Sequence, residues 1–186
     1  MVVLRRARMG DARAMHRLLS HFADQRELLP RAISEVYENL QQFHVAVDRG
    51  RVVGVGALYV TWENLAEVKA LAVEEAYQGR GIGKALLRAC LADARRLEIR
   101  RVFTLTLRAG FFEHFGFRPI SKEYLPHKVW TECVRCIYFP DQCVEYAMVK
   151  DRPGPGAAPR PIPARRRGSR DAAFPEGTIV PTEPVS

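Results

Sequence analysis

The sequence predicts a single α/β (α+β) domain on three observations. Residues 43–60 hold two apolar β runs joined by Asp48-Arg49-Gly50-Arg51, and residues 67–107 alternate β run, glycine loop, helical pattern and β run. At Asp151 the composition breaks into a Pro-, Gly- and Arg-rich tail carrying Arg165-Arg166-Arg167. A chain of 186 residues with 47% hydrophobic content can bury one core of ordinary domain size. The domain is therefore placed at 1–150, and 151–186 is expected to be disordered, having too little apolar surface to offset the entropy of ordering.

The elements follow in chain order. Val2 to Arg6 reads as a short strand, and Asp11 as the N-cap of a helix with Ala14, Met15, Leu18, Leu19 and Phe22 at helical spacing. Pro30 is expected to open a second helix through Val36, Tyr37 and Leu40. The two β runs around Gly50 form an antiparallel hairpin, with the glycine supplying a positive φ. Glu67 to Val73 is a strand, Ala85 to Leu97 a helix and Val102 to Leu107 a strand, which together make a crossover unit. Gly110 to Phe117 reads as a short aromatic helix stopped by Gly116, its phenylalanines serving mainly as core anchors, and Tyr146 to Val149 as a last strand.

The loop at the carboxyl end of the crossover's first strand is Gln78-Gly79-Arg80-Gly81-Ile82-Gly83-Lys84. Glycines let successive backbone N–H groups converge and let a ligand approach the main chain, so this stretch is read as an anion nest at a helix N-terminus. A Walker loop would need glycine at 78 and a hydroxyl at 85, where Gln78 and Ala85 stand. The dinucleotide fingerprint fails on spacing. Coenzyme A, with a pyrophosphate and no nicotinamide, remains.

The formal charge of +8 and pI near 9.7 do not select nucleic acid, because the basic residues are scattered and not interleaved with aromatics. A positive cleft equally suits coenzyme A or a small acidic substrate. The N-terminus lacks the pattern of a signal peptide and no apolar run reaches spanning length, so a cytoplasmic protein with no membrane partner is expected. In that compartment Cys90 reads as a buried helix residue.

Together these residues resemble the GNAT (GCN5-related) N-acetyltransferase superfamily. The likeness runs over about residues 2–150 and is most specific at Gln78-x-Arg80-Gly81-x-Gly83 and the helix after it. It implies a mixed, mostly antiparallel sheet splayed at its centre with helices on both faces, and acetyl-CoA as cosubstrate. It also implies that the main chain from Gly79 to Lys84 cradles the pyrophosphate, with Gln78, Arg80, Ile82 and Lys84 in the binding loop. The strand at Leu71, Ala72 and Val73 would pair with the pantetheine arm as an added strand.

The implied chemistry is direct attack of an amine on the thioester. The amine must first lose a proton, and Glu67 stands where several family members carry a catalytic glutamate; burial beside an apolar strand suits a carboxylate to that task. The chain departs from the family where many members place a tyrosine to protonate the leaving thiolate. Phe112 occupies that position, leaving Tyr124, His114 or solvent.

Within the superfamily, Ala66 to Val73 and Leu125-Pro126-His127-Lys128-Val129-Trp130 resemble free-standing amino-acid acetyltransferases of the N-acetylglutamate synthase type. That resemblance implies L-glutamate as acceptor, in arginine biosynthesis. Arg5, Lys69, Arg108 and Lys128 are the cations expected to meet its carboxylates. Another small or protein amine, and a coenzyme A-binding module without turnover, are the alternatives, and a homodimer is left open. Cys133, Cys136, Cys143 and His127 have the ligand types of a zinc knuckle with only partly standard spacing. Reduced, packed cysteines without metal are the expectation.

Overall fold

The computed structural model describes residues 1–125 and 143–152. Its elements are β1 (Val2–Arg6), α1 (Ala12–Asp24), α2 (Ile33–Glu38), β2 (Phe43–Asp48), β3 (Arg51–Trp62), β4 (Leu65–Val73), α3 (Ile82–Arg96), β5 (Arg101–Thr106), α4 (Ala109–Glu113), β6 (Arg118–Ile120) and β7 (Tyr146–Asp151). The seven strands form one sheet in the order β1-β2-β3-β4-β5-β7-β6. Among the described strands only the β4–β5 pair is parallel, as a strand–helix–strand crossover requires, and every other neighbour is antiparallel.

Strand alternation gives the sheet two buried faces. Val45, Val55 and Ala57 turn toward α1, which buries Ala12, Met15, Leu19 and Phe22 against them. Leu58, Ala66 and Val68 turn the other way, toward Leu87, Cys90, Leu91 and Ala94 of α3. This second contact is close: a Cβ on Gly54 would lie 3.1 Å from Leu86 Cδ1, and one on Gly56 3.5 Å from Leu86 Cβ. Cys90 is fully buried, and that burial pushes its thiol up to about 12. Asp93 of α3 accepts from His44 Nε2 at 2.7 Å and pairs with Arg6, fastening the helix to β1 and β2.

Two local expectations are corrected. Asp11 stands at the N-cap of α1, but its carboxylate accepts from Arg5 and from the Arg8 amide instead of capping the helix. The second helix begins at Ile33, not at Pro30, because Ala32 is still extended at φ −68, ψ 148. The three-residue β6 carries Pro119 at the sheet edge, where its missing N–H is tolerated. The hairpin turn is as read, with Arg49 (φ 48) and Gly50 (φ 81) both left-handed.

Two irregularities shape the centre. The register between β3 and β4 slips so that Ala70 and Leu71 together oppose Gly56, and Ala70 takes φ 53, forming a bulge that bends β4. Beside it, β4 and β5 pair only from Leu65↔Arg101 to Glu67↔Phe103, and beyond that rung the strands part.

Candidate active site

The parted strands open a cleft of about 830 Å³, walled by β4 from Glu67 to Val73, the glycine loop, the end of β5 and the residues after it from Thr104 to Arg108, and the α1–α2 connection. Its two ends differ in chemistry.

One end is built from main chain. Leu71, Ala72, Val73, Gln78, Gly79, Gly81, Ile82, Gly83 and Lys84 all line it. Gly79 (φ 73) and Gly81 (φ 81) are left-handed, conformations that a side chain would strain. Gly81 is the N-cap of α3 and carries no capping side chain, so the first-turn N–H groups of the helix face the loop with its positive dipole end. Gln78 Nε2 donates to Val73 O at 2.9 Å and closes the base of the loop. Tyr77 anchors it: the hydroxyl donates to Asp48 Oδ2 at 3.1 Å, and the Arg80 guanidinium lies 5.1 Å over the ring. Arg80 is thereby held outside the residues that line the cleft.

The other end is charged. Glu67 is 6% exposed, and Lys69, two residues on, brings Nζ to 3.1 Å from Glu67 Oε2. Lys69 Nζ also sits 5.2 Å over the Tyr59 ring, and Arg31 approaches the same ring at 5.9 Å. Arg108 reaches across the mouth and donates to Glu27 Oε2 at 2.8 Å, while its own amide donates to Thr106 Oγ1. From the far wall come Cys143, which receives Lys122 Nζ at 2.8 Å, and Glu145, whose carboxyl is raised by burial against the opposing pull of Lys122.

Of the cations expected from sequence, Lys69 and Arg108 line the cleft. Arg5 does not: Asp11 holds its guanidinium at 2.6 and 2.9 Å, and the same bonds raise Arg5 and lower Asp11. Lys128 lies outside the described residues, with His127, Cys133 and Cys136. Among the described residues no group of three or more His, Cys, Asp or Glu is arranged to hold a metal. Phe112 is buried against Phe111 and Phe117. Tyr124 and His114 stay outside the lining, His114 donating from Nδ1 to Gly110 O at 2.6 Å. Sequence reasoning missed Arg31, Thr106 and Glu145. Arg31 follows Pro30 in a connection with no periodicity to orient it, and the other two sit where strands end.

Residues 39–119 match the family model described as an acetyltransferase (GNAT) domain. An uncharacterized N-acetyltransferase of Chlorobaculum tepidum is 37% identical over 149 residues, 79% of this chain and 94% of that protein. An amino-acid acetyltransferase of Mycobacterium tuberculosis is 39% identical over 136 residues, 72% of this chain and 78% of its own. Among solved structures, N-acetylglutamate synthase from Neisseria gonorrhoeae, complexed with coenzyme A and N-acetyl-glutamate, superposes with a TM-score of 0.74 at 25% identity. That match covers 81% of this chain and 35% of the synthase. A Mycobacterium tuberculosis structure in complex with CoA gives 0.71 at 33% identity, covering 81% of this chain and 99% of that one. No helix among the described residues is long and apolar enough to cross a membrane. Main-chain nest, splayed strands and these relatives agree: the chain belongs to the GNAT acetyltransferase superfamily, with N-acetylglutamate-synthase-like relatives and acetyl-CoA as acyl donor.

Proposed function

We propose that the enzyme moves the acetyl group of acetyl-CoA to the α-amine of an L-amino acid, L-glutamate first, with Glu67 as general base. The observation that carries this reading is the buried Glu67–Lys69 pair, facing a cleft whose other end is the glycine loop. The loop amides from Gly79 to Lys84 receive the pyrophosphate, and the unpaired edge of β4 at Leu71 to Val73 receives the pantetheine arm. Glu67 takes a proton from the acceptor ammonium, directly or through one water. The freed amine nitrogen attacks the thioester carbonyl carbon and a C–N bond forms; the nitrogen gives up its second proton to water as the C–S bond breaks and the electron pair leaves on sulfur. The thiolate is a good leaving group and takes its proton from solvent, the family's tyrosine being replaced by Phe112.

The acceptor's carboxylates would meet Lys69, Arg31 and Arg108. Charge-assisted bonds orient as well as bind, and a carboxylate would take Glu27's place on Arg108. Lys128 is a further candidate from the sequence, whereas Arg5 is left to Asp11. The setting we propose is arginine biosynthesis in the cytoplasm, in keeping with the named amino-acid acetyltransferases.

Thiol release from acetyl-CoA across a panel of L-amino acids tests the acceptor. The expected order places glutamate ahead of uncharged side chains, and release with protein amines or polyamines alone would overturn it.

A further inference from the structure

Glu67 belongs to two ladders: it pairs with Tyr59 of β3, in a ladder that continues to Val73, and with Phe103 of β5, where it is the last rung. The next residues along, Val68 and Thr104, are where β4 and β5 separate. Val68 is 2% exposed, so a main-chain carbonyl left there without a donor would be costly. Thr104 supplies the donor: its Oγ1 gives a hydrogen bond to Val68 O at 2.9 Å, and the residue is itself 2% exposed.

A side chain here does what main chain does one rung earlier. Thr104 is fixed on its other side by its register with Met148 of β7, so its hydroxyl reaches across to the β5-side edge of β4 just past the last rung of that ladder. A hydroxyl standing between two strands spaces them wider than the roughly 4.8 Å of a direct ladder. It therefore ties the strands and starts their divergence together. Everything past it on β4, from Lys69 through the bulge at Ala70 to Val73, keeps its β5-side edge for the cleft.

We propose that Thr104 is a positioning residue: its hydroxyl sets the apex of the split and, through Val68, holds Glu67 at the angle from which its carboxylate meets the acceptor amine. This rests on Glu67 as base. Serine keeps the hydroxyl and valine keeps the shape, so the pair T104S and T104V separates the bond from the packing.

The test compares wild type, T104S, T104V and E67Q as full-length proteins. In T104V, kcat should fall about tenfold or more and the pH profile of kcat/KM should move, while coenzyme A affinity stays within about threefold. T104S should recover most of that loss. Deuterium uptake by the peptide covering residues 65–72 should be faster in T104V than in wild type and near wild type in T104S. Turnover by T104V within twofold of wild type overturns the proposal, as does a T104S variant as impaired as T104V. Should T104V not fold, T104A, which likewise has no donor, takes its place, and turnover equal to T104S overturns the proposal equally. An inert E67Q substitution would overturn the base assignment alone; the uptake comparison then still decides whether Thr104 holds β4, and unchanged uptake overturns it.

Discussion

Lys69 Nζ stands 3.1 Å from Glu67 Oε2 and 5.2 Å above the ring of Tyr59, with both charged side chains less than a tenth exposed. A buried ion pair of this kind is weak evidence for stability, because the desolvation of two charges offsets their attraction. In the proposed mechanism the pair has another use: Lys69 supplies the counter-charge for a carboxylate that must be ionised to accept a proton, and its ammonium attracts an incoming carboxylate.

Replacing Lys69 with Met should therefore act on the acceptor side. We expect KM for the amino acid to rise about tenfold or more, the scale of one charge-assisted bond, with coenzyme A affinity within about twofold. Steady-state kinetics with isothermal titration of coenzyme A checks it; an unchanged KM would take Lys69 out of acceptor binding.

The donor side has its own test at Gly81. Its φ of 81 lies in the left-handed region and a Cβ there meets nothing within 4 Å, so alanine would be resisted by the backbone alone. G81A should cost about 1–2 kcal/mol in holding the loop and weaken coenzyme A binding by about tenfold. Titration of coenzyme A measures this directly. Wild-type affinity in G81A would mean that the loop does not need the left-handed N-cap.

Glu145 predicts a pH dependence of stability. Its carboxyl is raised by burial, with Lys122 pulling the other way. Between the ordinary carboxylate value and the raised one, the folded chain holds a proton that the unfolded chain has lost, so stability falls as pH rises through that window. E145Q removes the titration. Its melting temperature should exceed wild type at neutral pH, and the difference should close toward pH 4, which thermal melts across pH will show.

Most of the scaffold could be read in the residues, because its signals are local. Alternating apolar runs marked β2 to β5, left-handed glycine chemistry marked the hairpin and the nest, and Gly116 (φ 76) stopped the aromatic helix as expected. The site was legible only where it coincides with such a signal, at the loop and on β4. Lys69 and Arg108 line the cleft, but Arg5, on an equally plausible strand, is claimed by Asp11, a pairing that nothing in the pattern ranks above an acceptor. Arg31 and Thr104 escaped for a related reason. One depends on how an irregular connection crosses the cleft, and the other on where two strands stop pairing, and both are tertiary facts.

The central claim is that Glu67 takes the proton from the acceptor amine, and E67Q tests it most directly, since glutamine keeps the shape and loses the base. With L-glutamate as acceptor, turnover should fall by about 10² or more while coenzyme A affinity stays nearly unchanged. Turnover equal to wild type, with acetylated glutamate still released one for one with free coenzyme A, would contradict it.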